Sequence, residues 1–120
     1  MNLCKIDALM AERVLGLTVV DHGFNRFTTP GEHAGEQLPI KHYSGDIAAA
    51  WEIVQKLNRG TVDFLLCQTE THVSTGWYCR FSDGSYSAHS GDNLMGVESA
   101  PLAVCLAALR VVAVEDKEYA

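Results

Sequence analysis

Apolar residues recur at helical spacing in three stretches of the chain. In Tyr43–Leu57, the residues Ile47, Ala50, Trp51, Val54 and Leu57 fall on one stripe, which places Trp51 in a buried face. Both ends are punctuated. Ser44 is placed to cap the helix, Asp46 sets a negative charge at its positive end, and Asn58-Arg59-Gly60 supplies the stop. Leu3–Leu15 reads as an earlier helix. Ile6, Leu9, Met10 and Val14 lie on one side, Lys5, Asp7, Glu12 and Arg13 lie mostly away from it, and Gly16 ends it. The last helix is expected over about Ala100–Val114, started by Ser99. Pro101 is tolerated in its first turn, where the N–H groups have no helical partner anyway. Leu102, Cys105, Leu106, Leu109, Val112 and Ala113 give it a broad apolar face, and Glu115–Ala120 is a charged tail expected to fray.

Between the helices the period shortens to two. Leu17–Val20 reads as a short strand. In Thr61–Gln68, Val62, Phe64 and Leu66 alternate with Asp63, Leu65 and Cys67; both faces are apolar, which predicts a central strand. Trp77–Phe81 is a further strand, Ser82-Asp83-Gly84 a hairpin turn, and Ser85–His89 a weaker strand at an edge. Two long connections remain, Asp21–His42 and Ser90–Glu98, with a polar link at Thr69–Gly76. The first holds two prolines and several glycines, and Gly23 and Pro30-Gly31 are turn signals that allow a concealed hairpin. The expected fold is α+β: an α/β/α sandwich with a central, mostly antiparallel sheet of about four strands flanked by three helices, in a single domain over residues 1–120.

Charge narrows the function classes. A net charge of −6 argues against duplex nucleic acid as a partner, where a basic surface is needed. It leaves room for a small anionic ligand held by local Arg and backbone N–H groups. The opening residues Met1–Asp7 do not read as a signal peptide, and no apolar run approaches membrane-spanning length, so the cytoplasm is the expected compartment and no membrane partner is expected. Cys4, Cys67, Cys79 and Cys105 form no Cys-x-x-Cys pair and read as buried free thiols. The five histidines (His22, His33, His42, His72 and His89) show no metal-ligand spacing, and His33 with Glu36 is a weak pair. No catalytic motif, metal site or cofactor fingerprint is expected. Cys67 or Cys79 would need an activating partner, and for Cys79 only His89 across the hairpin offers one.

The binding-type candidates are few. Tyr78 and Arg80 alternate onto one strand face, opposite Trp77, Cys79 and Phe81. An Arg beside a Tyr holds a phosphate and stacks a base, though a solvated sheet residue looks the same. Phe24, Arg26 and Phe27 make the densest aromatic and basic cluster in a loop, suited to clamping a ligand or to anchoring the loop. Tyr43 and Ser44 precede a helix whose first N–H groups suit an anion, with Asp46 opposing it and simple capping as the plainer role.

The chain resembles the phage ABA sandwich domain family of small phage and prophage proteins. The resemblance rests on Ala11–Val19, on Tyr43–Val54, and on Ala100–Leu109 following Tyr78–Phe81. It implies the sandwich fold and carries no catalytic set. It also implies a phage setting, in which small proteins without catalytic motifs disarm host defence by binding. The expectation is a non-catalytic, homo-oligomeric sponge for a nucleotide-derived immune signal, a cyclic ADP-ribose isomer or a cyclic oligonucleotide. Its ligand-binding residues would be Phe24, Arg26, Phe27, Tyr43, Ser44, Tyr78 and Arg80. The alternative is a protein–protein inhibitor or adaptor acting on a host protein.

Overall fold

A computed structural model describes residues 1–58, 62–70, 75–91 and 96–120. Arg59 and Gly60 of the expected helix stop, Thr61 of the expected strand, Thr71–Ser74 with His72, and Asp92–Met95 lie outside the described residues. The order is α1 (Leu3–Leu9) running into a π-helical turn (Met10–Val14), β1 (Val20–Asp21), β2 (Phe27–Pro30), β3 (Gln37–Pro39), α2 (Ile47–Leu57), β4 (Asp63–Glu70), β5 (Thr75–Ser82), β6 (Ser87–His89), α3 (Ala100–Val111) and a 3-10 turn (Asp116–Glu118).

The expected α+β sandwich is observed, with its strands divided differently. Two antiparallel sheets of three strands, β1-β2-β3 and β4-β5-β6, replace one of about four. The stretch Asp21–His42 is the cause. Its turn residues fold it into a meander in which Val20 opposes Thr28 and Thr29 opposes Leu38. At the β1–β2 turn, Gly23, Phe24 and Asn25 all have positive φ. The strand expected over Leu17–Val20 shrinks to Val20–Asp21. Among the described residues, β5 is central in the second sheet and β4 lies at an edge, correcting the central placement of Thr61–Gln68. Val97 adds a single bridge to Trp77 beside β6.

The core lies between the second sheet and the helices. Ile6, Met10, Ile53, Val54, Cys79, Phe81 and Leu109 are almost fully buried. α3 is buried from Pro101 through Leu109, because Ala103, Cys105, Ala107 and Ala108 let neighbours approach on every side. Ser99 caps it as expected, its hydroxyl accepting from Leu102 N at 3.3 Å. The tail does not fray: Tyr119 is buried, its hydroxyl donates to Asp116, and its carbonyl accepts from Asn2 N at 2.8 Å.

Three helical expectations are corrected. α2 is capped by Asp46, whose carboxylate accepts from Ala48 N at 2.9 Å, and Ser44 caps nothing. Its buried side is Ala49, Ala50, Ile53 and Val54, where paired alanines permit close packing on α3. Ile47 and Trp51 are left about half exposed (50% and 49%), with the indole edge-on to Phe64 at 6.0 Å. In α1, Asp7 faces inward and is buried; its Oδ1 accepts from Ser44 N at 2.8 Å. Gly16, at φ +73°, closes the helical segment after the wide turn.

Candidate functional site

Strand alternation and register assemble one polar face on the second sheet. Arg80 opposes Leu65 on one side and His89 on the other, and Tyr78 opposes Cys67. All five side chains share the face turned away from the helices, since Phe81, Cys79 and Ala88 occupy the one that packs on them; on the outer face Tyr78 is nonetheless buried, Cys67, Arg80 and His89 are half-buried, and Leu65 is exposed. Tyr78 Oη hydrogen-bonds His89 Nδ1, and His89 Nε2 lies 2.9 Å from Ser87 Oγ. Both partners of the imidazole are hydroxyls, which donate or accept, so the ring stays held in either protonation state. Arg80 Nε is buried and has no hydrogen-bond partner among the described residues, and none of the ion pairs among them uses its guanidinium. A guanidinium with an orphaned donor, an imidazole and a phenol thus sit together, a combination suited to an anion with an aromatic or polar body.

A second region lies between α1 and the start of α2. A groove of about 840 Å³ is lined by Asp7, Lys41, His42, Ser44, Asp46 and Glu52 together with apolar residues that include Leu3 and Ala48. A smaller pocket of about 260 Å³ adjoins it through Cys4, Asp7 and His42 and takes in Arg26 and Phe27. Lys41 Nζ pairs with both Glu52 oxygens at 2.8 and 3.0 Å, and that partnership raises its pKa. His42 Nδ1 stands 3.7 Å from Asp7 Oδ2. Three carboxylates against one cation and an exposed imidazole leave this groove poorly suited to an anion.

The structure therefore divides the residues singled out in the sequence. Tyr78 and Arg80 come together on the sheet. Ser44 lines the groove and Arg26 and Phe27 the pocket beside it, with Lys5 Nζ 5.4 Å from the Phe27 ring centroid. Phe24 stands alone, fully exposed at the hairpin tip. Tyr43 lines neither cavity; it belongs to the core, where burial raises its hydroxyl pKa. The thiols also divide: Cys4 is exposed and Cys67 half-buried, against the expectation of burial, while Cys79 and Cys105 are buried. Burial pushes the Cys79 pKa up to about 12, and Cys79 faces the core, away from His89, so the pair weighed for nucleophilic chemistry does not form. Among the described residues, no three His, Cys, Asp or Glu side chains converge as a metal site requires, and no helix is long and apolar enough to cross a membrane. His89 and Ser87 are the members of the face that the sequence reading did not place; their i, i+2 spacing on a strand was the available signal.

Residues 8–109 match the model of the family described as phage ABA sandwich domain. The crystal structure of a phage protein from Bacillus cereus superposes with a TM-score of 0.68, covering 96% of this chain and 93% of that one. The two are 22% identical, a likeness of fold. No curated protein matches the chain.

Proposed function

We propose a function from one premise: the chain belongs to the phage ABA sandwich domain family. It works by binding and catalyses no reaction of its own. The ligand is a small nucleotide-derived anion, a cyclic ADP-ribose isomer or a cyclic oligonucleotide, withdrawn from a host immune pathway. Its site is the sheet face of Tyr78, Arg80 and His89. The observation that carries this reading is the buried Arg80 Nε left without a partner among the described residues. Native proteins seldom leave a buried donor unpaired, and a phosphate oxygen admitted by a shift of the side chains that cover Nε would satisfy it.

A panel of cyclic ADP-ribose isomers and cyclic dinucleotides, titrated calorimetrically, tests the reading. Tight binding, loss of binding in Arg80→Met, and recovery of the intact ligand after heating are expected. Silence across the panel would refute it, and conversion of the ligand would make the protein an enzyme. The wholly exposed Phe24 favours a second reading, an inhibitor that plants this ring in a host protein. In that case Phe24→Ala, and not Arg80→Met, abolishes function.

A further inference from the structure

We infer that two copies of this chain join along β4, so that a six-stranded sheet unites the two Tyr78–Arg80–His89 clusters into one ligand site. The seam stands on the fold; the shared site rests on the binding reading above.

β4 is an eight-residue strand paired only with β5 among the described residues. Natural edge strands are shielded by charge, proline, a bulge or shortness. From Phe64 to Thr69 this edge carries no charge and no proline. Beside it, Trp51 leaves half its surface in water and its ring touches Phe64 on the strand itself, while Ile47, one turn earlier on α2, is equally exposed. An edge that is neutral and, among the described residues, unpaired thus adjoins an apolar helix flank.

A second copy suits this surface for two reasons. The chain carries −6, so two copies repel unless they meet where neither bears charge, and the interior of β4 is such a place. The register is also self-complementary. A two-fold axis at Leu66 places Leu65 opposite the partner's Cys67 and Phe64 opposite the partner's Gln68. Pairing even positions with even and odd with odd keeps the core face of each copy on the same side. The axis also brings the Ile47 and Trp51 flanks of the two copies toward each other over the seam.

The outer face then becomes continuous. The two Arg80 residues stand roughly 15 Å apart, three strand spacings with a two-residue offset. Leu65 and Cys67 of both copies form the floor between them. A ligand with two phosphate groups spans this floor and meets a guanidinium at each end, which one copy alone does not offer.

Sedimentation equilibrium and crosslinking test the seam. The wild type should run as a dimer and Trp51→Glu as a folded monomer. Leu65→Cys should, on mild oxidation, form a disulfide with the partner's Cys67, because directly opposed strand residues lie within disulfide reach. Leu65→Cys/Cys67→Ser should not. A monomeric wild type, or equal covalent dimer in the two cysteine variants, overturns the inference. Cyclic di-AMP is the probe for the shared site, expected at one molecule per two chains. One molecule per chain overturns the shared site and leaves the binding reading standing. No binding of cyclic di-AMP by a proven dimer overturns the shared site with the seam intact, and silence across the whole panel overturns the binding reading as well.

Discussion

Arg80→Met should make the free protein more stable. Methionine keeps an unbranched apolar stem of similar length and removes the guanidinium. In the structure Nε is buried with no partner among the described residues. An unsatisfied buried donor costs about 1–3 kcal/mol, and its removal together with its charge leaves nothing unpaired behind. Loss of stem contacts returns a few tenths of a kcal/mol, so the net gain is on the order of 1 kcal/mol. For a domain of this length that is a rise of about 4 °C in Tm. Urea denaturation of both proteins without ligand reads the difference directly, and an unchanged m-value would show that only the folded state has changed. A destabilisation beyond about 1 kcal/mol refutes the reasoning, because it would mean that the guanidinium is already satisfied in the free protein. In that case the best reason for a ligand at this face disappears.

Three further outcomes follow from the same geometry. Asp7→Ala strands the Ser44 N–H beneath α1 and should cost about 1.5–3 kcal/mol, measured by urea denaturation; a cost under about 0.5 kcal/mol would mean the bond is replaced by water. Phe24→Asn should stabilise by about 1 kcal/mol, because φ +54° strains a fully exposed Phe and Asn tolerates the left-handed region; an unchanged Tm would refute that. Cys79 and Tyr119 have pKa values raised from 9.0 and 10.0 to about 12, chiefly by burial. The folded state therefore holds these protons longer than the unfolded chain does. Their contribution is complete below pH 9 and should be lost as the pH rises toward 12, seen as a falling Tm, while a thiol reagent at pH 8 labels Cys4 and spares Cys79 and Cys105.

What the sequence disclosed was local, and what it concealed was paired at a distance. Strand alternation alone put Tyr78 and Arg80 on one face. It could not place His89 beside them, because that depends on which residue of β6 meets Arg80. Helical spacing located α2 but turned its buried side, since an alanine-lined contact with α3 outweighed the larger Ile47 and Trp51. Asp7 read as a surface charge because its partner, the Ser44 N–H, lies 37 residues further along. The meander was visible only as turn residues: its strands are two to four residues long, too short for a periodic signal.

The π-helical turn at Met10–Val14 makes the first helical segment a rod of two parts set out of phase. Its bond from Leu15 N to Met10 O, 3.1 Å, encloses one residue more than an α-turn does. Removing one residue there would let an ordinary helix form without losing its ladder. It would also rotate Leu3–Leu9 by about 100° against everything after it. Asp7 would leave the Ser44 N–H, and Cys4 would leave the mouth of the groove. The surplus residue thus acts as an angular setting, fixing which side of α1 the groove sees.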